Sequence, residues 1–337
     1  MKRLAAFLFL LSISLSQGAR GCPAQQQQQP REGYVRTADG VRLFYRVVGD
    51  GPETLVAVHG GPGNTFESIL ADLEPLAKGR RVIYYDQRGG GRSDLIRDRN
   101  KLAVSKHVAD LEAVRSFFKL ERMTLLGNSW GGMLVAYYAA AHPERVERMI
   151  LHSPGEPTRA FAVEAVEEMQ SRMDNRYTPA ERKRYGFVSD PRNWVRAEDP
   201  RAVCREFYTL LLPIYVSKPE SMKSFKGDVC AGPIEAVRYQ QVVNTYIMNS
   251  LGDWDLLPSL GVVKAPVLVI HGEADPIPVE SSEAWARAFP NAELLLVEGA
   301  GHLPQVERPE IFFDAVETFL KGGRVRGARR VRGAAEK

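Results

Sequence analysis

The sequence is poor in cysteine and has little that could hold a metal ion. Three cysteines occur in 337 residues, and no Cys/His cluster has the spacing of a zinc site. The apolar run at residues 4–15 would span only about 18 Å as a helix, short of a hydrocarbon core of about 30 Å. We therefore expect no metal centre, and the N-terminal run is too short to cross a bilayer as a helix.

Outside the C-terminal end, the basic residues are balanced by acidic ones. The formal net charge is +4, but residues 322–337 carry six basic residues against one acidic residue. The rest of the chain is thus close to neutral, unlike the strongly basic surfaces that bind nucleic acid. We expect no nucleic-acid partner, and we expect residues 322–337 to form a basic, disordered tail.

The N-terminus has the composition of an export signal, because two basic residues open the chain and small residues follow the apolar run. Two processing routes remain open. One is ordinary cleavage near residues 16–18, and the other is cleavage before Cys22, whose acylation would attach the protein to a membrane. Residues 1–22 are thus interpreted as a signal peptide or lipoprotein signal, and residues 23–33 as a Gln-rich tether. The mature protein would be secreted, or a periplasmic or cell-envelope lipoprotein.

Two cysteines remain if Cys22 is acylated or removed. Cys204 and Cys230 could pair in an oxidising compartment and staple the region between them. Two unpaired buried thiols are the alternative, and the sequence favours neither.

Strand-like and helix-like segments alternate through residues 34–152 and again through residues 261–321. The continuous apolar run at 54–58 is typical of a central parallel strand, whereas residues 102–120 repeat apolar side chains at helical spacing. This alternation predicts an α/β domain with a mostly parallel, doubly wound sheet. Residues 153–260 favour helices and show no convincing strand, so they are predicted to form an inserted helical cap.

The chain is organised around Gly127-Asn128-Ser129-Trp130-Gly131. An apolar run precedes this pentapeptide and a helix-like stretch follows it, so a strand must turn at once into a helix. Glycines on either side of Ser129 remove the side chains that would clash in such a sharp elbow. Ser129 is therefore the candidate nucleophile.

A serine hydroxyl is a weak nucleophile that needs a base, which a third group must orient. Of six histidines, only His302 lies on a final loop downstream of both Ser129 and an acidic residue. His107, by contrast, is interpreted as a residue on the solvent side of a helix. Asp275, on the loop after the preceding strand, is the favoured acid, with Glu273 as its rival.

An acyl-transfer site also needs two N–H donors for the oxyanion. The first N–H groups of a helix have no partner inside it, so the N–H of Trp130 is one candidate. The loop at residues 59–63 supplies the other, and we expect it at Gly61, where the missing side chain lets the backbone approach. No cofactor is required by this chemistry.

Three motifs together resemble the proline iminopeptidase branch of the α/β-hydrolases. They are His59-Gly60-Gly61-Pro62-Gly63, Asp86-Gln87-Arg88-Gly89-Gly90-Gly91-Arg92-Ser93 and Gly127-Asn128-Ser129-Trp130-Gly131-Gly132. The resemblance implies an α/β-hydrolase fold and a serine peptidase that removes an N-terminal residue, often proline, from short peptides. A carboxylesterase or lactonase with the same triad, acting on a small ester, is the alternative.

The resemblance also implies that carboxylates of the cap hold the free amino group of the substrate. Gly232-Pro233-Ile234-Glu235 resembles the stretch that carries such a glutamate in tricorn-associated aminopeptidases. Glu235 is therefore the candidate for amine binding, and Glu206 is a second one.

Overall fold

The computed structural model describes residues 31–331 of the chain. The expected export signal, Cys22 and residues 23–30 of the expected tether lie outside this range. The last two residues assigned to the tether, Glu32 and Gly33, belong instead to the first strand of the sheet. Their assignment to a tether is therefore wrong.

An eight-stranded sheet forms the centre of the described chain. Its strands are β1 (Glu32–Arg36), β2 (Arg42–Val48), β3 (Glu53–Val58), β4 (Arg80–Tyr85), β5 (Met123–Ser129), β6 (Val146–Pro154), β7 (Val267–Gly272) and β8 (Ala292–Val297).

The strand order is β1-β2-β4-β3-β5-β6-β7-β8. β2 pairs antiparallel with β1 and β4, and all other neighbours are parallel. The carboxyl ends of parallel strands meet at one edge, where such sheets bind their ligands. The loops after β3, β5, β6, β7 and β8 therefore meet at a shared edge, and the predicted mostly parallel, doubly wound sheet is confirmed.

Helices cover both faces of the sheet and form the region between β6 and β7. Within residues 31–331, no helix is long and apolar enough to cross a membrane. The α-helices are α1 (Glu67–Leu70), α2 (Val104–Phe117), α3 (Trp130–Ala141), α4 (Arg159–Arg176), α5 (Pro179–Ser189), α6 (Pro191–Arg196), α7 (Pro200–Tyr215), α8 (Ile234–Ser250), α9 (Val279–Ala288), α10 (Pro304–Glu307) and α11 (Pro309–Leu320).

The central strand β3 is apolar from Leu55 to Val58 because it contributes to two cores. In β3, Val56 and Val58 pack into the core on one face of the sheet, and Leu55 and Ala57 into the core on the other. Side chains alternate across a strand, so a strand covered on both faces needs an apolar residue at every position. This explains the uninterrupted apolar run in the sequence.

Helices α4 to α8 form a cap inserted between β6 and β7. The cap has a small core of its own, which includes Val188, Trp194 and Phe207. A disulfide joins Cys204 on α7 to Cys230, with 6.0 Å between the two Cα atoms. The structure thus has the paired form of these cysteines, and the disulfide ties α7 to the segment that leads into α8.

The described part of the C-terminal segment is ordered, and the expectation of a disordered tail is wrong for residues 322–331. Val325 is buried in one of the two cores of the sheet. Arg329 exchanges two backbone hydrogen bonds with Leu294 of β8, at 2.8 and 2.9 Å. One apolar anchor and a short bridge to an edge strand hold a segment whose composition alone indicates disorder. Residues 332–337 lie outside the described chain.

Candidate active site

Ser129 stands at the end of β5 with a strained backbone, φ 54° and ψ −122°, directly before α3. A Cβ atom on Gly127 would lie 2.3 Å from the carbonyl oxygen of Gly131, and one on Gly131 would lie 2.2 Å from that of Val58. Only glycine fits at these two positions. The close approach of strand and helix holds Ser129 at the sharp elbow that the pentapeptide predicts.

Asp275 and His302 meet at the carboxyl edge of the sheet. His302 Nδ1 lies 2.7 Å from Asp275 Oδ2, and Asp275 Oδ1 accepts a hydrogen bond of 3.0 Å from the backbone N–H of Ile277. The Asp275 side chain has no exposed surface. Its rival Glu273 is exposed to solvent, so the acid that faces His302 is Asp275.

The two groups shift each other's pKa in opposite directions. Burial by itself would lower the pKa of His302, but the charge and hydrogen bond of Asp275 outweigh it and raise this pKa above 6.5. Burial would raise the pKa of Asp275, yet His302 keeps that pKa below 3.8. With Nδ1–H donating to the carboxylate, His302 Nε2 is free to accept a proton.

Hydrogen-bonded side chains connect the elbow at Ser129 to the loop that carries His302. Asn128, next to the nucleophile, donates from Nδ2 to the carbonyl oxygen of His152 at 3.4 Å. His152 Nε2 in turn lies 2.8 Å from Oε1 of Gln305, three residues after His302. Within residues 31–331 the structure shows no direct hydrogen bond between Ser129 and His302. Such bonds are often long in unliganded enzymes and tighten when substrate binds.

The loop at residues 59–63 lies directly beside the nucleophile. A Cβ atom on Gly60 would come within 2.8 Å of Ser129 Cβ. Gly61 has φ 56° and keeps accessible surface, and its carbonyl oxygen accepts the N–H of Asn64 at 2.9 Å. Trp130 occupies the first position of α3. Both expected oxyanion donors therefore belong to segments that adjoin Ser129.

Gln87 joins all three sequence motifs. Its side-chain N–H donates to the carbonyl oxygen of His59 at 2.8 Å, and its carbonyl oxygen accepts the indole N–H of Trp130 at 2.9 Å. Its backbone N–H points at Nε2 of His59 at 3.3 Å. Burial lowers the pKa of His59 to about 4, so this ring is neutral and accepts that bond. The sequence analysis assigned no role to Gln87, although its position in the second motif indicated that it lies near the elbow.

The cap is hydrogen-bonded to both sides of the site through residues that sequence reasoning missed. Asn64 Oδ1 accepts from the Tyr208 hydroxyl at 2.9 Å and from Gln240 Nε2 at 2.5 Å. On the other side, the backbone N–H of His302 donates to the carbonyl oxygen of Tyr215 at 2.8 Å. The rings of Tyr215 and His302 lie 4.8 Å apart. None of these residues belongs to a recognisable motif, apart from the position of Asn64 directly after the loop at 59–63.

The structure does not bring the expected amine-binding residues to the site. Glu235 lies in the first turn of α8 with half of its side chain exposed, and it pairs with Arg238 at 3.1 Å. Glu206 pairs with Arg184 on the cap surface, at 2.6 Å. Both carboxylates already have a cationic partner and face solvent, so neither is an unpaired anion available to a substrate amine.

His107 is buried, and its placement on the solvent side of a helix is wrong. Its ring packs edge-on against Trp130 with 6.2 Å between centroids. Burial and the nearby Arg88 lower its pKa to about 3. The apolar spacing of α2 does not reveal that His107 is buried, because a histidine is read as a polar residue and is assigned to the solvent face of the helix.

Within the described chain, no group of three or more His, Cys, Asp or Glu side chains could hold a metal ion.

Comparisons with known proteins agree with this geometry. Residues 53–309 match the α/β hydrolase fold family. The chain is 28% identical over 280 residues to a protein named proline iminopeptidase from Thermoplasma volcanium. The aligned region covers 82% of this chain and 92% of that protein.

Solved structures show the same fold at lower identity. A proline iminopeptidase from Mycobacterium smegmatis superposes with a TM-score of 0.60 at 24% identity, over 86% of this chain and 98% of that one. An esterase from Exiguobacterium antarcticum superposes with a TM-score of 0.62 at 22% identity, over 86% of this chain and 98% of that one.

The chain belongs to the α/β-hydrolase family. It is a serine hydrolase similar to enzymes named proline iminopeptidase.

We predict that Asp275→Asn lowers kcat by about 10³–10⁴-fold, because His302 loses the carboxylate that holds its tautomer. The wild-type kcat/KM should fall as the pH drops through the raised pKa of His302, since only the neutral ring accepts a proton. Removing the facing charge lowers that pKa and moves the acidic limb to lower pH. Steady-state kinetics with p-nitrophenyl acetate from about pH 5 to 9 give both the loss of kcat and the position of the acidic limb of kcat/KM. Glu273→Gln is the comparison, and an Asn variant that keeps the wild-type limb would contradict the assignment.

We predict that Gly61→Ala lowers kcat by about 10²–10³-fold, the usual cost of losing one oxyanion donor. The new Cβ would lie 2.4 Å from Asn64 Nδ2, at a φ of 56° that alanine rarely adopts. Steady-state kinetics test this, with Gly186→Ala as the matched control. Gly186 lies within α5 and has no atom within 4 Å of an added Cβ, so that variant should keep full kcat. Equal kinetics in the two variants would argue against a role for the loop.

Proposed function

We propose that this protein is an exported serine aminopeptidase that releases proline or another N-terminal residue from short peptides. The observation that carries the proposal is the buried Asp275–His302 pair, on the same sheet edge as the strained Ser129 elbow. The choice of substrate is supported by the similarity to proteins named proline iminopeptidase over more than four fifths of the chain.

In the proposed mechanism, Ser129 attacks the carbonyl carbon of the N-terminal residue while His302 Nε2 takes the hydroxyl proton. Asp275 stabilises the imidazolium that forms, and the N–H groups of Trp130 and Gly61 stabilise the oxyanion. His302 then delivers its proton to the leaving amine, which departs and leaves an acyl-enzyme. Water, activated by the same histidine, hydrolyses this ester and regenerates Ser129.

A carboxylesterase or lactonase is the second candidate function. The observation that favours it is the surface position of Glu235 and Glu206, each paired with an arginine. If no carboxylate faced the substrate, the site would have no means of selecting a free amino group. The same triad and oxyanion donors would then act on a small ester.

Export is supported by two independent features of the chain. The first 22 residues have the composition of a signal peptide or lipoprotein signal. The Cys204–Cys230 disulfide in the cap fits an oxidising compartment outside the cytosol.

The aminopeptidase proposal predicts cleavage of proline p-nitroanilide by the wild-type enzyme. N-acetylproline p-nitroanilide should be a far poorer substrate, and Ser129→Ala should reduce the cleavage to background. Release of p-nitroaniline at 405 nm measures the anilides, and p-nitrophenyl acetate reports triad activity alone. Serine-dependent cleavage of the acetate ester with no anilide cleavage would favour the esterase.

The export proposal predicts a processed N-terminus. Mass spectrometry of the protein expressed with its own leader should find either a chain beginning near residue 19 or an acylated Cys22. The same digest should contain the disulfide-linked Cys204 and Cys230 peptides, which separate on reduction. A chain that still begins at Met1, with two free thiols in the cap, would contradict export.

A further inference from the structure

The segment after β6 adjoins the nucleophile and is rigidly held. The backbone N–H of Gly155 donates to the carbonyl oxygen of Ser129 at 3.0 Å. The indole N–H groups of Trp285 and Trp254 donate to the carbonyl oxygens of Gly155 and Glu156, at 2.8 and 3.1 Å. Three hydrogen bonds from different parts of the chain thus fix the backbone from which the Glu156 side chain extends.

The Glu156 carboxylate lies close to the catalytic groups. Its charge helps to raise the pKa of His302, and it also helps to raise the pKa of Tyr215, whose ring packs on His302. Protein surrounds Glu156 closely enough for burial to raise its pKa, yet the residue keeps accessible surface. Glu156 is thus enclosed by protein and still accessible, on a segment that is hydrogen-bonded to Ser129.

Unlike the enclosed Asp110 and Glu307, Glu156 has no cationic or side-chain partner among residues 31–331. Asp110 pairs with Arg88 at 2.6 Å, and Glu307 accepts bonds from the Ser217 hydroxyl and the Gly301 N–H at 2.7 and 2.6 Å. Among residues 31–331, the polar group that contacts the Glu156 carboxylate is its own backbone N–H. A carboxylate in such surroundings is costly unless a cation or several donors satisfy it.

The chemistry of an aminopeptidase requires an anion at this place. The α-amino group is two covalent bonds from the carbonyl carbon that Ser129 attacks, so its partner must lie next to the nucleophile. Glu156 follows Gly155, whose backbone N–H is hydrogen-bonded to the carbonyl oxygen of Ser129. Glu235, by contrast, faces solvent on α8. An ammonium bound at Glu156 would supply the missing cation and place the scissile carbonyl at the elbow.

The surface charge near the site favours the same substrate. A cleft of 510 Å³ lies between α4 and the loop that carries Asp275. Four glutamates line it, at positions 164, 167, 168 and 273, against one arginine, Arg172. A concave surface with this excess of negative charge attracts cations and repels anions.

We infer that Glu156 binds the free α-amino group of the substrate and makes the enzyme selective for unblocked N-termini. This assignment rests on the aminopeptidase function proposed above. It moves amine recognition from the cap helices α7 and α8 to the short segment between β6 and α4.

A pair of methyl esters tests this assignment separately from peptidase activity. Proline methyl ester and N-acetylproline methyl ester differ in the charged amine and share a reactive bond that any serine hydrolase of this kind can cleave. The wild type should prefer the free amine by at least tenfold in kcat/KM, followed by pH-stat titration. Glu156→Gln, which keeps the shape and removes the charge, should shrink this ratio at least tenfold, and Glu156→Asp should restore part of it.

Controls separate amine binding from general damage. Glu310→Gln removes an exposed carboxylate from α11 and should keep the wild-type ratio. Glu235→Gln tests the cap glutamate directly, and a loss of selectivity there with none in Glu156→Gln would overturn the assignment. Labelling of Ser129 by a fluorophosphonate shows whether each variant keeps a folded site, and a Glu156→Gln protein that labels normally but keeps the wild-type ratio would overturn the assignment.

The two proposals can fail separately. If the esters show amine selectivity that depends on Glu156 but no anilide is cleaved, the peptidase function fails and the amine site stands. If proline p-nitroanilide is cleaved but Glu156→Gln leaves the ester ratio unchanged, the peptidase function stands and Glu156 is not the amine site. A wild-type ratio near one would overturn the amine site.

Discussion

The strained backbone of Ser129 is the constraint on which the site depends. A non-glycine residue at positive φ is costly, by about 1–3 kcal/mol, and persists only when its surroundings leave no alternative. Here β5 is paired on both sides and α3 packs so tightly behind it that Gly127 nearly touches the backbone of Gly131. Relaxing the elbow would require breaking the centre of the sheet. The candidate nucleophile is thereby placed on a segment that is held by two neighbouring strands and by α3.

The histidines show how a shared environment can lead to different chemistry. His59, His107, His152 and His271 are all buried, and burial lowers the pKa of each. His302 is buried as well, yet its pKa is raised because its ring faces the carboxylate of Asp275 at hydrogen-bond distance. Even for His271, whose Nδ1 lies 3.9 Å from the same carboxylate, burial outweighs the charge of Asp275 and keeps the pKa lowered. Contact with a charge, and not burial, distinguishes the base.

The cap is hydrogen-bonded to the segments that carry the candidate catalytic residues. Tyr208 and Gln240 hold Asn64 behind the oxyanion loop, and the end of α7 accepts the backbone N–H of His302. Arg172 of α4 donates to the carbonyl oxygen of Ala274, next to the acid, at 2.8 Å. The disulfide keeps α7 in place beside these contacts. Substitutions in the cap core are therefore expected to affect turnover as well as substrate choice.

Much of the molecule was predictable because its signals are local. Parallel strands buried on both faces must be apolar at every position, and a strand that turns sharply into a helix needs glycines around its nucleophile. These requirements are visible in the sequence, as is the chain order of Ser129, Asp275 and His302, although a resemblance of motifs was needed to suggest a substrate. The tail at residues 322–331 was misjudged because a single buried valine and one backbone bridge outweigh its basic composition.

The sequence by itself determined the sheet, the elbow and the identity of the nucleophile, acid and base candidates. Only the tertiary structure decided which polar residues outside the motifs face that centre. Glu235 resembled a binding residue in its local sequence, but the direction of α8 turns it to solvent beside Arg238. Glu156 had no motif, yet it follows a strand whose carboxyl end adjoins Ser129. Charge pairing and burial depend on contacts between segments far apart in the chain, and local sequence patterns do not record them.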